Sequence, residues 1–272
     1  MKENNVFKRG LKDIWHTITM PEMQVLPGQL AFFFVLSVIP IIALLSYLGI
    51  YFSLSVDQVA DLVNKSFPSG VSDLLLPVLN GETLNTNMFI FLITSFVLAS
   101  NGAYSIIIVS NNLYKIENAS AIKGRIKSVF MTFVIVFVII FTLLVPTLGS
   151  IIVDFISNTN ASAIANDVKI VFEWIKWPLS LIFIYANIKL IYTMAPGIQI
   201  KSKDVTKGAI FTTVLWIISA NVYSTYLSTF TNYDILYGSI SNIIILLLWV
   251  YLLSYIFVMG LALNTLKRNK QI

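Results

Sequence analysis

The strongest constraint on this chain is a succession of apolar runs, each about as long as the 20 helical residues needed to cross a hydrocarbon core about 30 Å thick. Lipid offers no water to backbone N–H and C=O groups, so a spanning segment of this kind satisfies them within itself, as a helix. Only 11% of the 272 residues are charged and 57% are hydrophobic, with mean hydropathy +0.83. A soluble domain carries about 25% charged residues, and no soluble fold of this length hides so much apolar surface. The reading is an all-α polytopic membrane bundle, one domain over residues 1–272. Six transmembrane helices are expected, at about 26–52, 88–113, 129–153, 171–195, 208–230 and 240–266.

The flanking segments carry their own periodicities. Phe7, Leu11, Ile14, Trp15 and Ile18 recur at helical spacing opposite Lys8, Arg9 and Lys12, which predicts a short N-terminal interfacial helix. No cleavable signal peptide is expected, since the first apolar stretch is too long for a signal core and lacks a small-residue cleavage site. Pro40 inside the first span removes a backbone hydrogen bond and predicts a kink near Leu36 and Ser37. In the connection from Ser53 to Asn87, Val56, Val59, Ala60, Val63 and Phe67 form one amphipathic face. Pro68-Ser69-Gly70 breaks it, and Val71, Leu74, Leu75 and Val78 begin a second, limited by Pro77. Both are expected as extracytoplasmic helices between spans one and two. Span four opens with Glu173 and Lys176 among its first turns, where Trp174 and Trp177 suit an interfacial belt and Pro178 an early helix position.

Basic residues set the orientation. Lys2, Lys8, Arg9 and Lys12 precede span one; Lys115, Lys123, Arg125 and Lys127 lie between spans two and three; Lys201, Lys203 and Lys207 between four and five; Lys267, Arg268 and Lys270 after six. These are 14 of the 18 Lys and Arg residues, all on one side if the spans number six. The positive-inside rule then places both termini in the cytoplasm.

The net charge of +5 is thereby explained by orientation, and no nucleic-acid partner is expected. With no cysteine and His16 as its single histidine, the chain has no thiolate nucleophile, disulfide, Cys-based metal site or His cluster. It lacks a P-loop and a HExxH-type helix. Glu3, Asp13, Glu22, Glu117 and Asp204 are too scattered to pair for hydrolysis. No catalytic residue, metal or cofactor is therefore expected, and the chain is not read as an enzyme.

What remains informative is polarity inside the spans, because burying it costs energy unless it is paired or faces a cavity. Thr94, Asn101, Ser105 and Asn112 share a face of span two; Asn221, Ser224, Thr225 and Ser228 share one of span five. They are read either as interhelical glue or as the walls of a shared polar cavity. Lys189 in span four has Tyr185 and Tyr192 at i−4 and i+3. It either snorkels to the nearby cytoplasmic interface or attracts an anionic group at a cavity mouth.

Several local patterns resemble the YihY/virulence factor BrkB family of bacterial inner-membrane proteins. They are Gln29-Leu30-Ala31-Phe32-Phe33-Phe34-Val35-Leu36-Ser37-Val38-Ile39-Pro40, Tyr192 with Ala195-Pro196, Lys207-Gly208-Ala209, Tyr237-Gly238-Ser239-Ile240, Leu248-Trp249-Val250-Tyr251, and Gly260-Leu261-Ala262-Leu263-Asn264. The likeness runs from about Phe7 to Asn264. Family members often carry Glu two residues after the last-span Gly, where Ala262 stands here. The resemblance implies a bacterial cytoplasmic-membrane location. Some members have borne a ribonuclease label, and lipid or envelope transport has been suggested for others. Tyr237-Gly238-Ser239 also reads simply as a helix-start device with Ser239 as N-cap. Together these features point to a transporter or flippase-like protein for an amphiphilic or anionic envelope solute, with membrane lipids as partners and a polar cavity between spans one, two, four and five. The alternative is a membrane scaffold or regulatory protein of envelope machinery.

Overall fold

The computed structural model of the chain describes residues 12–51, 57, 60–61, 64, 88–117, 119–137, 162–229 and 241–269. Among the described residues there are seven helices and no strand: α1 (12–18), α2 (Glu22–Tyr51), α3 (Met88–Leu113), α4 (121–137), α5 (Ser162–Met194), α6 (Thr206–Thr229) and α7 (Ser241–Asn269). Three contain stretches long and apolar enough to cross a membrane, Ile93–Leu113, Thr206–Tyr226 and Ile243–Leu266, and Pro178–Met194 is a shorter apolar stretch. The chain is a membrane protein, all-helical over its described ordered elements.

α3 coincides with the expected second span, and α6 and α7 follow the fifth and sixth closely. Three starts are earlier than expected by four residues or more, the first being α2 at Glu22 rather than near Leu26. α5 begins at Ser162 rather than near Val171, and the helix expected from Val129 begins at residue 121. Hydropathy marks only the apolar part of a helix, whereas Lys123, Arg125 and Lys127 extend α4 at little cost, being good helix formers. Residues 138–153 of the expected third span, the apolar face at Val71–Val78, and Phe7, Lys8, Arg9 and Leu11 lie outside the described residues. Asp57, Ala60, Asp61 and Asn64 are helical, as the loop periodicity predicts.

α1 leaves Trp15 and Ile18 exposed and buries Thr17, whose hydroxyl donates to the Asp13 carbonyl at 2.8 Å. α2 then runs without a break through Pro27 and Pro40; the Pro40 side chain lies outside the description. The Ser37 hydroxyl donates to the Phe33 carbonyl at 2.7 Å, so it spends its hydrogen bond within α2. Opposite it stands Gly102 of α3, where a Cβ would come within 2.8 Å of Ser37 Oγ. Small residues of this kind let membrane helices approach closely.

α7 is the shared member of the bundle, packing on α2, α3 and α6, while α2 packs on α3 and α5 on α6. One continuous core joins Met23 and Leu30 of α2, Ile107 of α3, Ile188 of α5, Ala209 of α6 and Phe257 and Leu261 of α7. It gathers the end of the bundle where α2 and α6 begin and α3 and α5 finish, hereafter the basic end. α3 finishes there with Lys115 in the left-handed region (φ 52°), its N–H on the Asn112 carbonyl at 3.1 Å and that of Ile116 on Asn111 at 2.9 Å. This double bond pattern satisfies the last carbonyls of the helix.

Candidate functional site

The turn from α5 to α6, residues 195–205, is held at the basic end by side chains from two other helices, and the first turn of α6 by one from a third. Lys127 of α4 donates to the Pro196 carbonyl at 2.6 Å and lies 3.4 Å from that of Ala195, next to the last turn of α5, where carbonyls lack helical partners. Burial pushes the Lys127 ammonium below the ordinary lysine range. Asn111 of α3 accepts the Gly197 N–H at 2.7 Å. Asn264 of α7 accepts the Gly208 N–H at 2.9 Å. That N–H belongs to the first turn of α6, whose donors have no partner within the helix, so Asn264 caps α6 from a neighbouring helix.

Beside this cap α6 and α7 touch backbone to backbone. A Cβ on Gly208 would collide with the Gly260 carbonyl, and one on Gly260 would collide with Thr212 and lie 2.7 Å from the Tyr192 hydroxyl. Tyr192 is fully buried; its hydroxyl donates to the Phe257 carbonyl at 2.6 Å and shares a 2.7 Å hydrogen bond with Thr212. Its ring lies 4.8 Å from that of Phe257. Among the described residues, Ser105 Oγ, Ser110 Oγ, Asn187 Oδ1, Ser254 Oγ and Asn264 Nδ2 are buried without a hydrogen-bond partner. The bundle interior thus carries more polarity than its own geometry satisfies.

A second cationic rung joins α3 to α4. Arg125 Nη1 donates to Asn101 Oδ1 at 2.8 Å, and the guanidinium sits 5.6 Å from the centre of the Tyr104 ring.

The sequence-derived candidates separate into groups. Ser37 is buried, Ser105 is buried, and Asn101 is half-buried against Arg125, whereas Asn112 is exposed. Asn221, Ser224 and Thr225 are exposed on α6. Asn221 donates to the Ile217 carbonyl at 2.8 Å and Thr225 to the Asn221 carbonyl at 2.9 Å, bonds within their own helix. Lys189 is half-buried, its ammonium 5.4 Å from the centre of the Tyr185 ring. Tyr192 does not join that pair; it points into the contact with α6 and α7. Trp249 is buried against Tyr223, with rings 4.9 Å apart, and Tyr251 is exposed. Ala262 is fully buried. Tyr237, Gly238 and Ser239 lie outside the described residues.

The landmarks scattered along the sequence, Tyr192, Ala195-Pro196, Gly208, Gly260 and Asn264, thus meet at one junction. A family model described as "Virulence factor BrkB" matches residues 14–271. The chain belongs to the virulence factor BrkB family. It is similar, at 33% identity over 267 residues and 96% of each chain, to a Bacillus subtilis protein whose name calls it ribonuclease-like, YfkH. Shorter stretches resemble UPF0761 membrane proteins. One, from Idiomarina loihiensis, is 27% identical over 92 residues, covering 34% of this chain and 32% of the relative. Another, from Pseudomonas aeruginosa, is 31% identical over 85 residues, covering 31% of this chain and 21% of the relative. No solved structure matches.

For this BrkB-family chain, sequence reasoning missed Asn111, Arg125, Lys127 and Thr212. Arg125 and Lys127 were read only as orientation signals. Asn111 sits one residue from the candidate Asn112, and a one-residue step rotates a helix by about 100°, which is enough to exchange a packed amide for an exposed one. A cue was present for Thr212, which lies one turn after Gly208 and so on the same face.

Proposed function

We propose that this BrkB-family membrane protein is a non-enzymatic transporter or flippase-like protein that moves an amphiphilic or anionic envelope solute, lipid included, across the bacterial cytoplasmic membrane. Its six spans leave both termini in the cytoplasm. One observation carries the reading: α6 exposes Asn221, Ser224 and Thr225 while its earlier turns expose Ile210, Val214 and Ile218 on the same side. Polar side chains in spans face a water-filled cavity or a partner far more readily than lipid. Since the Asn221 amide bonds to a carbonyl of its own helix, gluing described helices together does not account for it. Lys189, placed over Tyr185, supplies a cation for an anionic group along the same route.

The absence of cysteine allows a clean test. Single cysteines are introduced at 218, 221, 224 and 225 of the full chain and treated in intact cells with a membrane-impermeant maleimide. Labelling at 221 and 224 without labelling at 218 is expected of a polar route. In parallel, Lys189→Met is expected to fold normally and lose function in complementation of a deletion, with Lys189→Arg retaining part of it. Full complementation by Lys189→Met makes the residue a snorkelling anchor. The same α6 face favours one competing reading, a scaffold that docks another membrane protein there. In that case the cysteines stay unlabelled and cross-link to the partner.

A further inference from the structure

Arg125 is oriented by the bundle without being neutralised by it. It stands in the first turns of α4, half-buried, with one guanidinium N–H on Asn101 Oδ1 at 2.8 Å and its plane beside Tyr104. Both partners are neutral, and among the described residues no carboxylate pairs with it. A guanidinium offers five N–H donors in a fixed fork, so most of its donors remain beyond the one given to Asn101.

The position of Arg125 on α4 supplies the rest. On one side Ser128, Met131 and Thr132 are buried in the bundle; on the other Ile122, Ile126, Val129 and Phe133 are exposed. On the adjoining α3, Val97 and Leu98 are exposed about one turn from Asn101. A fixed cation with apolar surface on both helices beside it is the complement of an amphiphile whose polar end is anionic. The guanidinium fork matches two oxygens of a phosphate, and basic pockets between membrane helices take lipid headgroups in this way. The neighbouring Lys127 is committed to the Pro196 carbonyl.

We propose that the α3–α4 surface around Arg125 is a binding site for an anionic phospholipid, with the headgroup phosphate on Arg125 and the acyl chains along Ile122, Ile126, Val129 and Phe133. A zwitterionic lipid binds less well because its own ammonium offsets the phosphate charge. The site holds a resident lipid and does not depend on transport, so it stands or falls separately from the function proposed above.

The test is native mass spectrometry of the delipidated full chain in detergent with equimolar phosphatidylglycerol and phosphatidylcholine bearing the same oleoyl chains. Wild type is expected to retain phosphatidylglycerol about fivefold over phosphatidylcholine or better. Arg125→Gln, which removes the charge, abolishes the preference, and Arg125→Lys keeps part of it. Asn101→Asp retains the arginine but sets a carboxylate in place of the amide oxygen, neutralising the cation from within, and it also abolishes the preference. Should Arg125→Gln fail to fold, Asn101→Asp decides alone. A preference that survives Arg125→Gln or Asn101→Asp overturns the proposal. So does protection against thermal unfolding by inorganic phosphate equal to that by phosphatidylglycerol, which would mark a small-anion site instead.

Discussion

The hydroxyl of Tyr192 ties three helices at one point, since the residue belongs to α5, its hydrogen bonds reach Thr212 of α6 and Phe257 of α7, and no side of it meets solvent. Tyr192→Phe keeps the ring contact with Phe257 and removes only those bonds. It is expected to destabilise the protein by about 1 kcal/mol, read as a lower unfolding temperature in detergent. Thr212→Val should cost less when Tyr192 is already Phe than when it is Tyr, and a double-mutant cycle measures that coupling. Lys127 gives a pH-dependent counterpart. Its proton affinity is lowered in the folded state by burial. Between that lowered value and the ordinary lysine value, the unfolded chain therefore holds a proton that the folded one has released, and stability rises with pH. The contribution is present above the ordinary value and lost as pH falls through the folded one. Lys127→Met is expected to flatten this alkaline slope relative to wild type in thermal melts across pH.

At the scale of elements, the α6–α7 crossing depends on two glycines and one amide. Gly260→Ala would place a methyl group against Thr212 and the Gly208 backbone, and Gly208→Ala one against the Gly260 carbonyl. Neither neighbour is the far end of a flexible side chain, so each substitution is expected to cost about 1–3 kcal/mol and to lower the melting temperature of the purified chain. Asn264→Leu should add a loss at the α6 N-terminus, because Gly208 N–H then has no acceptor. The crossing shows how far the sequence alone could be read. Apolar runs set α3, α6 and α7 almost to the residue, since lipid selects a length. Gly208, Gly260, Asn264 and Tyr192 were visible as landmarks. That they form one contact was not legible, because which helices pack together depends on shape rather than hydropathy. The stripe of Asn221, Ser224 and Thr225 was correctly read as one helix face. Its outward direction was not readable, as periodicity tells which residues share a face but not what the face meets.

For the whole molecule, orientation is the property most open to direct measurement. Reporters fused at Ala119 and Ser202, in the α3–α4 and α5–α6 turns, are expected to read cytoplasmic, and ones at Gly81 and Asn232 extracytoplasmic. An extracytoplasmic signal at Ala119 would defeat the six-span arrangement. The packing of α7 on α2, α3 and α6 bears also on how the protein comes into being. Of the described long helices, α7 leaves the ribosome last, when α2 with α3 and α5 with α6 are already able to pair. Until α7 inserts, Gly208 keeps an unsatisfied N–H and the Tyr192 hydroxyl lacks the Phe257 carbonyl. The arrival of the last described helix is therefore the step that closes the α6 cap and completes the three-helix tie at Tyr192.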